Sequence, residues 1–71
     1  MNEKHKLYLM TQLTVWVKEN NLTQVQASKT LRISRPRVSD LMTKKTSKFT
    51  VDTLITLLLR AGKTITIEVE E

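Results

Sequence analysis

Residues 22–41, LTQVQASKTLRISRPRVSDL, constrain the fold more than any other stretch. Two capped helix starts follow each other closely there. Thr23 is a good N-cap, and Gln26 three residues later completes a Thr-x-x-Gln capping box. Val25, Ala27, Ser28 and Leu31 give the first helix, residues 23–31, an apolar or small face. Ala27 and Ser28 would let a second helix approach closely. Leu31, Arg32 and Ile33 form the turn, with Ile33 directed inward. Ser34 caps the second helix, residues 35–43, and Pro36 lies in its first turn, where a missing N–H costs little. Val38, Leu41 and Met42 recur at i, i+3 and i+4 and predict one buried stripe. The other face carries Arg35, Arg37, Ser39 and Asp40, side chains able to bond base edges or phosphates. This is the sequence form of a helix-turn-helix, whose second helix can enter a major groove.

Two further helices flank the pair. Leu9, Leu13, Trp16 and Val17, with Met10 beside them, keep a 3.6-residue period over residues 6–19. Residues 1–5 are polar and expected to fray. Asn20 and Asn21 end that helix, because Asn tolerates a left-handed cap. After a polar, basic loop over 43–49, Thr50 caps a last helix with Asp52 in its first turn. Leu54, Ile55, Leu57, Leu58 and Leu59 make this helix apolar around most of its circumference, and Gly62 is in place to end it. Phe49 is expected to plug the preceding loop into the core.

Residues 64–69, Thr-Ile-Thr-Ile-Glu-Val, alternate with period two and are rich in β-branched side chains, which predicts a strand. No other stretch reads as a strand. A lone strand leaves unpaired N–H and C=O groups. Antiparallel pairing with the same strand of a second copy satisfies them, with Leu58, Ile65, Ile67 and Val69 at the dimer interface. An extended or disordered tail is the alternative. The expected fold is therefore mainly α: four helices over residues 1–71, one domain, with a C-terminal strand pairing across a dimer.

Composition narrows the function. The chain has 71 residues and a net charge of +5. That length makes one small domain with a minimal core. With only three aromatics the core must be aliphatic, and a partner subunit would help to complete it. The charge is unevenly placed. Lys29, Arg32, Arg35, Arg37, Lys44, Lys45 and Lys48 face Asp40 alone within residues 29–48, while Glu68, Glu70 and Glu71 close the chain. Basic charge thus falls on the helix pair, which favours nucleic acid. Absent cysteine rules out disulfides and thiolate metal sites. His5, the only histidine, lacks partners for a metal. No cofactor is expected. No glycine-rich phosphate loop, carboxylate pair or Ser/His/Asp set is present, so an enzyme is not expected. Apolar runs are too short to span a membrane and the start lacks a signal-peptide core, so the cytoplasm is the expected location.

The pattern Leu22-Thr23-Gln24, a small pair, Leu31-x-Ile33-Ser34 and Val38-Ser39-x-Leu41 resembles the XRE (Cro/cI-type, lambda-repressor-like) family. The continuation Lys48-Phe49-Thr50-Val51-Asp52-Thr53-Leu54, followed by a short strand, is similar to a compact subgroup of HigA-like antitoxins and XRE-type regulators. The resemblance covers roughly residues 9–69. It implies a lambda-repressor-like helix-turn-helix domain and a bacterial, plasmid or phage origin. The family usually carries Gly at the turn position held here by Arg32, so a positive φ there would strain the arginine.

The expected function is sequence-specific binding of double-stranded DNA by a homodimeric transcriptional repressor on a palindromic operator. Arg35 is the first choice for reading guanine, with Arg37, Ser39 and Asp40 beside it on the same face. Pro36 can touch a thymine methyl. Gln24 resembles the family's phosphate-clamping Gln. Ser34, Lys44, Lys45 and Lys48 are expected at the DNA backbone. Two other readings stay open. The resemblance implies, for many relatives, an antitoxin that binds a small toxin and represses their shared operon. A non-specific nucleoid or RNA binder is the third.

Overall fold

The computed structural model describes residues 2–62 as α1 (Asn2–Glu19), α2 (Gln24–Leu31), α3 (Arg35–Met42), a single 3-10 turn (Thr46–Lys48) and α4 (Val51–Arg60). Four helices were expected and four are present among the described residues. The expected strand over 64–69 lies outside them.

The first helix departs from expectation. It starts at Asn2, not near Lys6, so the polar stretch expected to fray is helical. Thr46 in the 3-10 turn supplies the tie. Its hydroxyl donates to Glu3 Oε2 at 2.6 Å, and its carbonyl accepts from Lys6 Nζ at 3.3 Å. A terminus held by tertiary contacts stays helical where a free one would fray.

The N-caps match the sequence. Gln26 N–H donates to Thr23 Oγ1 at 3.1 Å and Thr23 N–H donates to Gln26 Oε1 at 2.9 Å, which closes the capping box. Thr50 Oγ1 accepts from Thr53 N–H at 3.1 Å. Ser34 Oγ accepts from Arg37 N–H at 3.4 Å.

The C-termini share one device. Left-handed residues follow α1, α2 and α3: Asn21 at φ 51°, Arg32 at φ 60° and Lys44 at φ 57°. Past each, an N–H reaches back five residues: Leu22 to Val17 O at 3.0 Å, Ile33 to Ser28 O at 3.1 Å and Lys45 to Asp40 O at 3.0 Å. This is the Schellman arrangement. Leu22 and Ile33 then pack against the core as its apolar closure. Gly62, the chain's single glycine, takes φ 82° after α4. Asn accepts this region readily, but Arg32 and Lys44 each cost about 1 kcal/mol there.

One core joins the four helices. Leu9, Met10, Leu13, Trp16 and Val17 of α1 meet Ala27 and Leu31 of α2, Val38 and Leu41 of α3, and Leu54, Leu57 and Leu58 of α4. Phe49 closes it from the α3–α4 connection, as its sequence position suggested. The apolar stripes expected for α1 and α3 are the ones buried, with Met42 half-buried at the edge. In α4 the circumference divides: Leu54, Leu57 and Leu58 point inward, Ile55 is half-buried, and Leu59 is 61% exposed. No described helix is long and apolar enough to cross a membrane.

Candidate nucleic-acid interface

The second helix of the pair, α3, is fixed on three sides. Ser34 caps its start, Val38 and Leu41 sink fully into the core, and the left-handed Lys44 turns the chain away after its end. What remains outward is short and basic. Arg35, Pro36 and Arg37 are exposed on the first turn, and Ser39 and Asp40 are half-buried behind them. The Arg35 side chain makes no hydrogen bond or ion pair among the described residues, so its guanidinium is available at the tip of the helix.

Arg37 is held differently. Its guanidinium carbon lies 4.7 Å from the centroid of the Phe49 ring. A cation over an aromatic face at this range is attracted by the ring quadrupole. Phe49 is 3% exposed, so one residue plugs the core and supports a basic side chain of α3. Asp40 also has a partner. Its Oδ1 lies 3.6 Å from Lys45 Nζ, and the side chains are 24% and 57% exposed. The pair is loose and solvated, and its contribution is small. It turns the one acid of this basic segment toward the following loop.

The expected backbone contacts occupy both ends of the pair. Gln24 is exposed at the first position of α2, where helix N–H groups and the dipole favour an anion. Ser34 spends its hydroxyl on the cap of α3. Lys44, Lys45 and Lys48 are exposed along the connection after α3. The residues expected at a dimer interface divide. Leu58 is 1% exposed and packs within its own chain, while its neighbour Leu59 is the outward leucine. Ile65, Ile67 and Val69 lie outside the described residues.

Three long-range hydrogen bonds escaped the sequence. Arg60, at the end of α4, donates from Nη1 to the carbonyl of Leu31 at 2.9 Å, spanning from the last helix to the turn between α2 and α3. A base in the last turn of a helix is a generic signal, and nothing local names its distant partner. The Glu3 and Lys6 contacts to Thr46, which tie α1 to the connection after α3, are equally non-local.

The geometry is mirrored in known proteins. A family model described as "Helix-turn-helix domain" matches residues 2–70. A solved structure named "Putative XRE Family Transcriptional Regulator" superposes with a TM-score of 0.92 at 30% sequence identity, covering 99% of this chain and 79% of that chain. The curated proteins give no match. On the family match and this structural relative together, the chain belongs to the helix-turn-helix domain family, in its XRE-like group.

Proposed function

We propose that this helix-turn-helix protein, a DNA-binding transcriptional regulator by family, is a repressor acting as a homodimer on a palindromic operator. One observation carries the reading. The α3 helix is anchored on its apolar side and at both ends, yet presents Arg35 unengaged at its exposed tip. Arg35 would read guanine O6 and N7, with Pro36 against a thymine methyl and Ser39 and Asp40 at neighbouring positions. Arg37, leaning on Phe49, would reach a base or the flanking phosphate. Gln24, Lys44, Lys45 and Lys48 would hold phosphates on both sides of the groove, with Ser34 at the backbone end of α3.

The dimer rests on residues 64–69, whose alternating β-branched pattern calls for a strand partner, and on Leu59, which extends the α4 surface outward. The whole of residues 1–71 then acts as one DNA-binding domain with its own dimerisation strand, in the cytoplasm where its DNA lies. Half-sites would sit about one helical turn apart, near 34 Å. Selection from random duplexes tests the reading. An enriched inverted repeat is expected, and a pool that never departs from random overturns it. An antitoxin role is the second reading. Exposed Leu7, Tyr8 and Val15 leave apolar surface on α1 that a small toxin would cover. Co-expression with the product of the adjacent gene, followed by sizing of the complex, decides that point.

A further inference from the structure

We propose that Arg60 is a positioning residue: it holds the strained turn between α2 and α3 in its left-handed form and so sets the pose of the reading helix. This rests on the DNA-binding reading above. The turn contains an arginine at φ 60° and ψ 43° where glycine is the natural occupant. Such a conformation persists in a bulky residue only when its surroundings over-determine it. Two hydrogen bonds act from within: Arg32 N–H and Ile33 N–H both donate to Ser28 O. The third comes from outside. Leu31 O belongs to the peptide that leads into Arg32, and as one of the last carbonyls of α2 it has no helical partner. Arg60 Nη1 donates to it at 2.9 Å. Leu31 itself is fully buried, so the carbonyl is partly shielded from water, and losing its donor is costly. The guanidinium charge also suits the negative end of α2.

Arg60 can impose a position because its own is imposed. It closes α4, whose Leu54, Leu57 and Leu58 are locked in the core. Ser34, the cap of α3, follows the turn after two residues. A turn that left the left-handed region would therefore re-aim Arg35 and Arg37 together. The same bond also links the exit of α4 to the reading head.

The test is a cycle between Arg60→Met, which keeps an apolar stem and removes the donor, and Arg32→Gly, which removes the strain. The probes are the duplex that the unaltered protein selects from a random pool and a shuffled duplex of the same composition. In Arg60→Met, hydrogen exchange at the Ile33 amide should quicken several-fold relative to core amides. Preference for the selected duplex should fall about fivefold, the size expected for one such hydrogen bond. The slope of log K against log[salt] should stay as it was, since no phosphate contact is lost. In the double variant, glycine holds the turn unaided and the preference should return. Unchanged Ile33 exchange in Arg60→Met overturns the proposal. So does a salt slope flattened by about one unit, which marks Arg60 as a phosphate contact instead. So does failure of Arg32→Gly to restore the preference. Should Arg60→Met not fold, the double variant is expected to fold, and an equally unfolded one overturns the idea. A protein that selects no duplex at all defeats the DNA reading instead, and Ile33 exchange still decides the turn.

Discussion

Replacing Phe49 by leucine separates the two tasks of that ring. Phe49 is 3% exposed within the core, and Arg37 stands over its face at 4.7 Å. Leucine keeps the plug apolar and large, so repacking should cost less than about 1.5 kcal/mol. It removes the π face, whose attraction for a partly exposed guanidinium contributes about 0.5–1 kcal/mol. The expected destabilisation is therefore roughly 1–2 kcal/mol. A domain of this size holds on the order of 4–10 kcal/mol in total, so the variant should still fold. Its melting midpoint should drop by roughly 5–15 °C. Urea denaturation of Phe49→Leu, Arg37→Met and the double variant isolates the pair. A coupling of about 0.5–1 kcal/mol is expected. Effects that add within about 0.3 kcal/mol would refute the contact and leave Phe49 as a core residue alone. The functional corollary is that Phe49→Leu should weaken DNA binding in the native background and leave it unchanged once Arg37 is gone.

Arg35→Ala should cost about 1–3 kcal/mol on the selected site and relax preference at one base pair per half-site, so an unchanged consensus in repeated selection excludes Arg35 as a base reader. Lys48→Ala should weaken binding to every duplex alike and flatten the salt slope by about one unit per contact, which a salt titration reads directly. Lys44→Gly should do the same while relieving a left-handed residue, so its thermal stability should hold or rise by up to about 1 kcal/mol as DNA binding falls; a clear loss of stability contradicts the strain assigned to φ 57°. In the proposed strand over 64–69, Ile67→Pro would remove a ladder donor and an apolar contact, and sedimentation at micromolar concentration should then find a monomer or an aggregate. A stable dimer would move the interface to α1 or α4.

The helix starts and buried stripes of this chain were legible in its sequence. Thr23, Ser34 and Thr50 mark helix starts because a side-chain oxygen one position ahead of a helix can satisfy an orphan N–H wherever the helix packs. The stripes of α1 and α3 follow from a fixed 3.6-residue period, so which faces turn inward needed no knowledge of their neighbours. Arg32 could be singled out only through the resemblance, which places Gly at that turn position, and the structure gives it a left-handed φ of 60°. Tertiary structure decided what periodicity leaves undetermined. A helix as apolar as α4 does not say which leucines stay outside; docking onto the shared core buried Leu58 and left Leu59 out. The start of α1 depended on Thr46, far along the chain, so its own polar residues pointed to fraying. Arg35 stands ahead of Arg37 in sequence by its place at the start of the helix, but that Arg37 rests on the Phe49 ring is decided only by the fold. Arg60 reads as an ordinary basic helix end, and the carbonyl it binds enters reach only when α4 docks beside the turn between α2 and α3. Short-range hydrogen bonds and helical period are properties of neighbouring residues. The partners of long flexible side chains are properties of the assembled core, and that is where the sequence alone stops.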